Sequence, residues 1–281
     1  MANYSLADIK ALREKTGAGM MDVKKALEEA AGDPDKALEI IRVKGLKGVG
    51  KREGRSASDG LVAAHVGPTP DGEGAAGVMV EINSETDFVA KNVTFITLAD
   101  KVLDVAVSSG ARDADALLAV DVDGTPLQNV VDETAATLGE KVVVRRLARV
   151  AGEHVEVYLH KVNKDLPPQV GVLVATDAAG ASVARDIATH IAAFSPTFLT
   201  REDVPAETVA SERHIAEETA RNEGKPEAAL PKIIEGRVNG YFKENVLLEQ
   251  AFAKDPKKTV GQVLAEVGGS VTEFVRFRVG A

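Results

Sequence analysis

The sequence has no cysteine and no tryptophan, and only eight phenylalanines and three tyrosines among 281 residues. Without thiols there can be no disulfide, no thiolate metal site and no cysteine nucleophile. No apolar run approaches the roughly 20 residues that span a bilayer. The opening Met1-Ala2-Asn3-Tyr4-Ser5 passes straight into an amphipathic pattern, without the basic and apolar segments of a signal peptide. A soluble, cytoplasmic chain with no membrane partner is the expectation. An excess of positive charge is missing too: 34 Lys and Arg stand against 43 Asp and Glu, a formal −9. The imbalance is uneven, because residues 1–55 hold 12 basic and 9 acidic side chains, leaving 22 and 34 for the rest. An acidic body does not attract phosphate backbones, so direct nucleic-acid binding is not expected and a protein partner is.

Catalytic signatures are equally scarce. His65, His154, His160, His190 and His214 are scattered, with no H-E-x-x-H and no carboxylate spacing that suggests zinc. There is no G-x-S-x-G elbow and no dinucleotide fingerprint after a strand. The chain reads as a non-enzyme without cofactor or metal.

What is present begins with three short helical patterns in residues 1–45. Ser5 and Asp8 have capping-box spacing, and Leu6, Ile9 and Leu12 share a face. Thr16-Gly17-Ala18-Gly19 suits a reversal. Val23, Ala26, Leu27 and Ala30 form a second stripe, and Asp33-Pro34 opens a third helix on Ala37, Leu38 and Ile41. Residues 46–59 are rich in Gly, Lys, Arg and Ser and read as a flexible linker. Gly45-x-x-x-x-Gly50-Lys51 imitates a phosphate-binding loop, but Arg52 replaces the magnesium-ligating hydroxyl and the segment follows a helix, not a strand.

From residue 60 the pattern is mixed α+β and occurs twice. In residues 60–150, strands are expected at 61–66, 77–83 and 141–150, with helices on Phe95–Ala106 and Leu127–Leu138 between the second and third. In residues 151–194 and 241–281, strands at 155–161, 170–176 and 271–279 enclose helices on Val183–Ile191 and Val260–Val267. Gly77-Val78-Met79-Val80 echoes Gly171-Val172-Leu173-Val174, and Thr125-x-x-Gln128 echoes Thr259-x-x-Gln262, each a capping-box form. The echoes imply a duplicated core of two neighbouring halves. The second half is interrupted by residues 195–240, two charged helical segments joined by Asn222-Glu223-Gly224-Lys225. Their thin apolar stripes suit either a solvated hairpin or a protein-contact arm.

One segment, Asn83-Ser84-Glu85-Thr86-Asp87-Phe88-Val89-Ala90-Lys91, falls between a strand and a helix and should form an exposed turn. Ser84, Thr86 or Asp87 can cap the following helix. Phe88 is one of few aromatics, and it reads either as a hydrophobic staple under its own helix or as an aromatic wedge offered to a partner.

Thr16–Leu27 (TGAGMMDVKKAL), Thr86-Asp87-Phe88-Val89-Ala90-Lys91, Lys257–Gln262 (KKTVGQ) and Val275–Gly280 (VRFRVG) together resemble the elongation factor Ts family over nearly the whole chain. The resemblance implies a small ubiquitin-associated-like three-helix unit, a linker and a two-part core carrying an inserted helical hairpin, which mediates homodimerisation in some members. It implies a guanine-nucleotide exchange factor of translation elongation, acting on GDP-bound elongation factor Tu. Thr86, Asp87, Phe88 and Val89 match the loop that dislodges the partner's magnesium. Arg13, Met20 and Met21 match residues that dock on the partner, as does His160 of the second half. Many members continue beyond the last strand into a C-terminal helix that touches the partner; this sequence stops at Ala281, so that contact is expected to be absent or made otherwise. A ubiquitin-like-binding adaptor is the alternative raised by the three-helix unit.

Overall fold

A computed structural model describes residues 3–16 and 18–281, excepting the side chains of residues 46, 47, 49 and 51. The expected reversal at Gly17, the Lys51 side chain and the first two residues lie outside that description.

Three helices open the chain: α1 (Leu6–Thr16), α2 (Met20–Glu29) and α3 (Pro34–Arg52). Ser5 and Asp8 make the reciprocal cap, Asp8 N–H donating to Ser5 Oγ at 3.3 Å and Ser5 N–H to Asp8 Oδ2 at 2.7 Å. Asp33 accepts from the Asp35 and Lys36 amides, with Pro34 in the first turn of α3. Ile9, Leu12, Val23, Ala26, Leu27, Ala37 and Ile41 close over one another as a small core.

The linker expectation for residues 46–59 requires correction over 46–52, because α3 remains helical as far as Arg52. A glycine inside a helix costs about 1 kcal/mol relative to alanine, so packing must override propensity here. The later helix α7 supplies that packing, and Gly45 is where the two helices meet. A Cβ at position 45 would stand 2.0 Å from the carbonyl oxygen of Ala136 and 2.7 Å from its Cα. Arg42 pairs with Glu133 along the same seam. The glycine allows close approach and does not signal flexibility.

The first core half contains β1 (Asp59–Pro68), β2 (Ala75–Ser84), α4 (Asp87–Ala90), α5 (Val93–Ser109), α6 (Ala114–Leu118), a two-residue ladder of β3 (Asp121–Val122) and β4 (Thr125–Pro126), α7 (Leu127–Leu138) and β5 (Val143–Gly152). The second contains β6 (His154–His160), β7 (Val170–Thr176), α8 (Ala181–Phe194), the hairpin α9 (Ala206–Asn222) and α10 (Leu230–Asn245), a ladder of β8 (Ala251–Phe252) and β9 (Asp255–Thr259), α11 (Val260–Val267) and β10 (Val271–Arg278). Both sheets are antiparallel, ordered β1-β2-β5 and β10-β7-β6. In each, the second strand of the half is central and the last returns beside it, so the halves share one topology.

The sheets pack face to face, with Val62, Met79 and Val150 of the first against Val155, Leu173, Ala175 and Phe277 of the second. Their outer faces carry helices: α5 and α7 through Phe95, Leu98, Val102 and Val131, and α8 and α11 through Ile187, Ile191, Val260 and Leu264. Strands β2 and β7 are thus covered on both sides, which accounts for their continuous apolar letters. The repeated Gly-Val-Met/Leu-Val motif has a packing meaning. A Cβ on Gly77 would meet Val155 Cγ1 at 2.9 Å and Leu173 Cδ2 at 3.0 Å; one on Gly171 would meet Val62 Cγ1 at 2.5 Å and Met79 Sδ at 2.6 Å. Each glycine receives the large residue of the opposite copy. Gly171→Ala is therefore expected to destabilise the chain by about 1–3 kcal/mol by overpacking, read as a lower urea midpoint at unchanged slope.

One capping expectation fails and its echo holds. Thr259 and Gln262 form a full capping box on α11. Thr125 does not cap α7, which begins after Pro126; Thr125 sits in the small ladder with its hydroxyl donating to Val122 O at 3.3 Å, and Gln128 donates to Asp132 at 2.8 Å instead. Pro126 stands where the other half has Val260, and here it is the N-cap, so the helix starts one residue later relative to the threonine.

The inserted hairpin has its own thin core of Ala216, Ala220, Leu230, Ile234, Val238 and Phe242, with the Arg201 guanidinium 4.5 Å from the Phe242 ring at its root. Below that root lies fully buried His190. Its Nδ1 accepts the Ala253 N–H at 3.2 Å, so Nε2 carries the proton and donates to Gln250 Oε1 at 2.8 Å. Burial lowers its pKa, outweighing the opposing Gln250 hydrogen bond. The folded chain therefore prefers the neutral ring. The resulting stability is present above the unfolded value of about 6.5 and is lost as pH falls below it. Urea titrations at descending pH should show that loss, and a His190→Gln chain should lack this part of the slope. Among the described residues, no helix is long and apolar enough to cross a membrane.

Candidate partner-binding site

Strand β2 ends at Ser84, and the chain turns through Glu85 and Thr86 into the one-turn helix α4. Thr86 is its N-cap, accepting the Val89 N–H at 3.4 Å, while Ser84 Oγ donates to Thr86 O at 3.1 Å. Glu140, just past the end of α7, accepts the amides of Glu85 at 3.1 Å and Thr86 at 3.0 Å and the Thr86 hydroxyl at 2.6 Å. In return Glu85 accepts the Lys141 N–H at 2.6 Å and also faces Arg55 at 3.3 Å. Burial pushes the Glu140 carboxyl up, and the Thr86 hydrogen bonds oppose that shift. Below the turn, fully buried Glu81 pairs with Arg146, whose Nε lies 2.7 Å away.

This frame bears on one of the two readings of Phe88. Its side chain is 73% exposed, so it is not a staple beneath its own helix. Lys91 Nζ lies 4.5 Å from the ring centroid and 3.7 Å from Asp87 Oδ2. The Asp59 carboxyl is raised by burial and by the nearby Asp87 charge. Val89 departs from its expected role as a contact residue: it is 4% exposed and packs into the first core half. The one-turn helix explains the split, because a helix one turn long turns Phe88 outward when Val89 and Ala90 face the core. Thr86 spends its hydroxyl inside the turn. Of Thr86, Asp87, Phe88 and Val89, Asp87 and Phe88 reach outward.

Met20 and Met21 begin α2 and are half or more exposed, and Arg13 lies exposed on the last turn of α1. That turn meets the site: Thr94 Oγ1 donates to Lys15 O at 2.9 Å and Asn92 Nδ2 to Glu14 O at 3.5 Å. The segment containing Phe88 and the three-helix unit are thus joined at the start of α5. His160 is placed apart, exposed at the end of β6 on the other sheet, with Nδ1 3.2 Å from Tyr158 Oη. Among the described residues it shares no hydrogen bond or ion pair with the turn. Two features escaped the sequence reading: the Glu140 clasp, which no periodicity announces, and Val93, 77% exposed at the first position of α5. Among the described residues, no group of three or more His, Asp or Glu could hold a metal ion.

Comparison with known proteins agrees with the signatures in these turns. A sequence profile described as elongation factor TS matches residues 85–281. Elongation factor Ts of Beutenbergia cavernae is 71% identical over 281 residues, covering all of both chains. The proteins of that name from Kocuria rhizophila and Kineococcus radiotolerans are 64% and 60% identical, again over the full length of both chains. With whole-chain identity at this level and the profile running from the turn at Glu85 through the second sheet and the hairpin to the end of the chain, the chain belongs to the elongation factor Ts family.

Proposed function

We propose that this chain promotes release of GDP from elongation factor Tu by pressing Phe88 into the partner beside its magnesium site. Family membership carries the coarser role, a nucleotide exchange factor for elongation factor Tu in translation elongation. The single observation that supports the finer reading is a large aromatic ring held 73% exposed on a turn that is itself tied down on both sides. An exposed, preorganised aromatic is the usual anchor of a protein interface.

The partner class holds GDP through a phosphate loop and a magnesium ion bridging phosphate oxygens. Magnesium requires near-octahedral geometry with ordered waters, so a small displacement of its surroundings weakens the nucleotide disproportionately. In this reading Phe88 supplies the wedge and Asp87 disturbs groups around the ion. Thr86 and Val89 hold the two in place from within. Arg13, Met20 and Met21 dock the three-helix unit, with methionine suited to an adaptable surface, and His160 makes a separate contact from the second half. The chain acts in the cytoplasm on the GDP-bound form, and by linkage GDP weakens the chain's own binding by the same factor. No covalent bond is made or broken. Homodimerisation through α9 and α10, where Ile215 is 52% exposed, is the second association proposed, and sedimentation equilibrium tests it.

Release of a fluorescent GDP from purified elongation factor Tu, with and without the chain, tests the reading. Acceleration at catalytic amounts of the chain is expected. Absence of acceleration, with recovery of a ubiquitin-like protein instead, would favour the adaptor alternative.

A further inference from the structure

We propose that Glu140 is a positioning residue for exchange, fixing the direction in which Phe88 leaves the surface. The inference rests on the wedge reading of Phe88 and adds the part that aims it. Three distances carry it. The Glu140 carboxylate takes both consecutive amides of the turn, at 3.1 and 3.0 Å, and the Thr86 hydroxyl at 2.6 Å. Thr86 is the N-cap of α4, and Phe88 is two residues further on. Whatever orients Thr86 orients the four-residue helix, which is too short to hold its own direction.

The clasp is mutual. Glu85 accepts the Lys141 N–H at 2.6 Å, so each glutamate binds the backbone of the other's segment. This is the reciprocity of a capping box, built here between segments 54 to 56 residues apart in the chain. It brings two carboxylates together, and the Glu85 charge adds to the upward push on Glu140. Charged acceptors form shorter and stronger hydrogen bonds to amides, which suits a turn that must resist a partner's push. The anchoring end is firm as well. Glu140 follows Gly139, whose left-handed φ of 77° turns the chain off α7 toward the clasp, and α7 is the helix against which Gly45 of α3 is seated. The other face of Phe88's helix is closed by buried Val89 and Ala90, so its tilt is controlled from the N-terminal side, where the clasp acts together with the Ser84 Oγ bond to Thr86 O.

Because the chain has no tryptophan, Phe88→Trp places a single indole at the tip, and its fluorescence anisotropy reports local mobility. Glu140→Ala in that background should lower the anisotropy, and Glu140→Gln, which keeps an acceptor oxygen, should restore most of it. In the full-length chain, Glu140→Ala should slow release of fluorescent GDP from elongation factor Tu by about tenfold or more, with Glu140→Gln much closer to the parent. In a Phe88→Ala background, Glu140→Ala should add no further loss, since its effect passes through the ring. Unchanged anisotropy, a parental exchange rate for Glu140→Ala, or losses that multiply in the double variant would each overturn the proposal. A parental rate for Phe88→Ala ends the wedge reading instead, and the anisotropy still decides whether Glu140 fixes position 88.

Discussion

Replacing Phe88 by alanine is expected to slow GDP release from elongation factor Tu about 100- to 1000-fold while leaving the unfolding midpoint of the chain unchanged. The two halves of that expectation come from one number. At 73% exposure the ring contributes little burial to its own fold, so its removal leaves the core intact. The same exposure leaves most of its surface available to a partner. Full burial of a phenylalanine removes roughly 150–250 Å² from water, worth at most about 4–6 kcal/mol at 25 cal/mol per Å². Ordering and docking costs reduce the net, which leaves the two to three decades stated. Stopped-flow release of fluorescent GDP and a urea titration on the same preparation measure both halves. A well-folded variant that exchanges at the parental rate would remove Phe88 from the mechanism.

The second large effect is expected from a single methyl group. Gly45→Ala would ordinarily stabilise a helix by about 1 kcal/mol. Here the added carbon would fall 2.0 Å from the Ala136 carbonyl oxygen and 2.5 Å from its carbon, both backbone atoms that no rotamer change can move aside. Helix α3 must therefore separate from α7, at a loss of roughly 3 kcal/mol or more. Gly50→Ala, with nothing within 4 Å of its added carbon, is the matched control and should stabilise. Opposite signs at two glycines of one helix would be read by thermal unfolding, and faster amide exchange along α3 and α7 would locate the Gly45 effect. Equal signs would mean the seam is not close-packed in solution.

These two sites also show what could be read from letters alone. Strand and helix placement in the core followed from periodicity, since Val170–Thr176 and Val260–Val267 have unambiguous apolar runs and caps. The exposure of Phe88 did not follow, because a buried staple and an exposed ring use the same residue at the same position, and only the tertiary frame shows which is buried. Val89 looked like part of the contact segment for want of the third dimension. Residues 46–52 misled by composition: glycine allows both a loose tether and a tight crossing, and the choice depends on α7, some 90 residues downstream. Thr125 misled by spacing, since Pro126 shifted the helix start. The Glu140 clasp joins segments about 55 residues apart through backbone amides, which leave no mark on residue type.

The seat of α3 on α7 also bears on association kinetics. A unit on a loose tether would find its partner surface in a separate step, at an effective concentration of order millimolar. Here α3 is seated on α7 at Gly45 and α1 is tied to Thr94, so the methionines of α2 and the ring at position 88 are carried on one packed frame. Under the proposed docking their engagement is a single encounter, and weakening either surface should appear as a shorter lifetime of the complex with little change in the rate at which it forms.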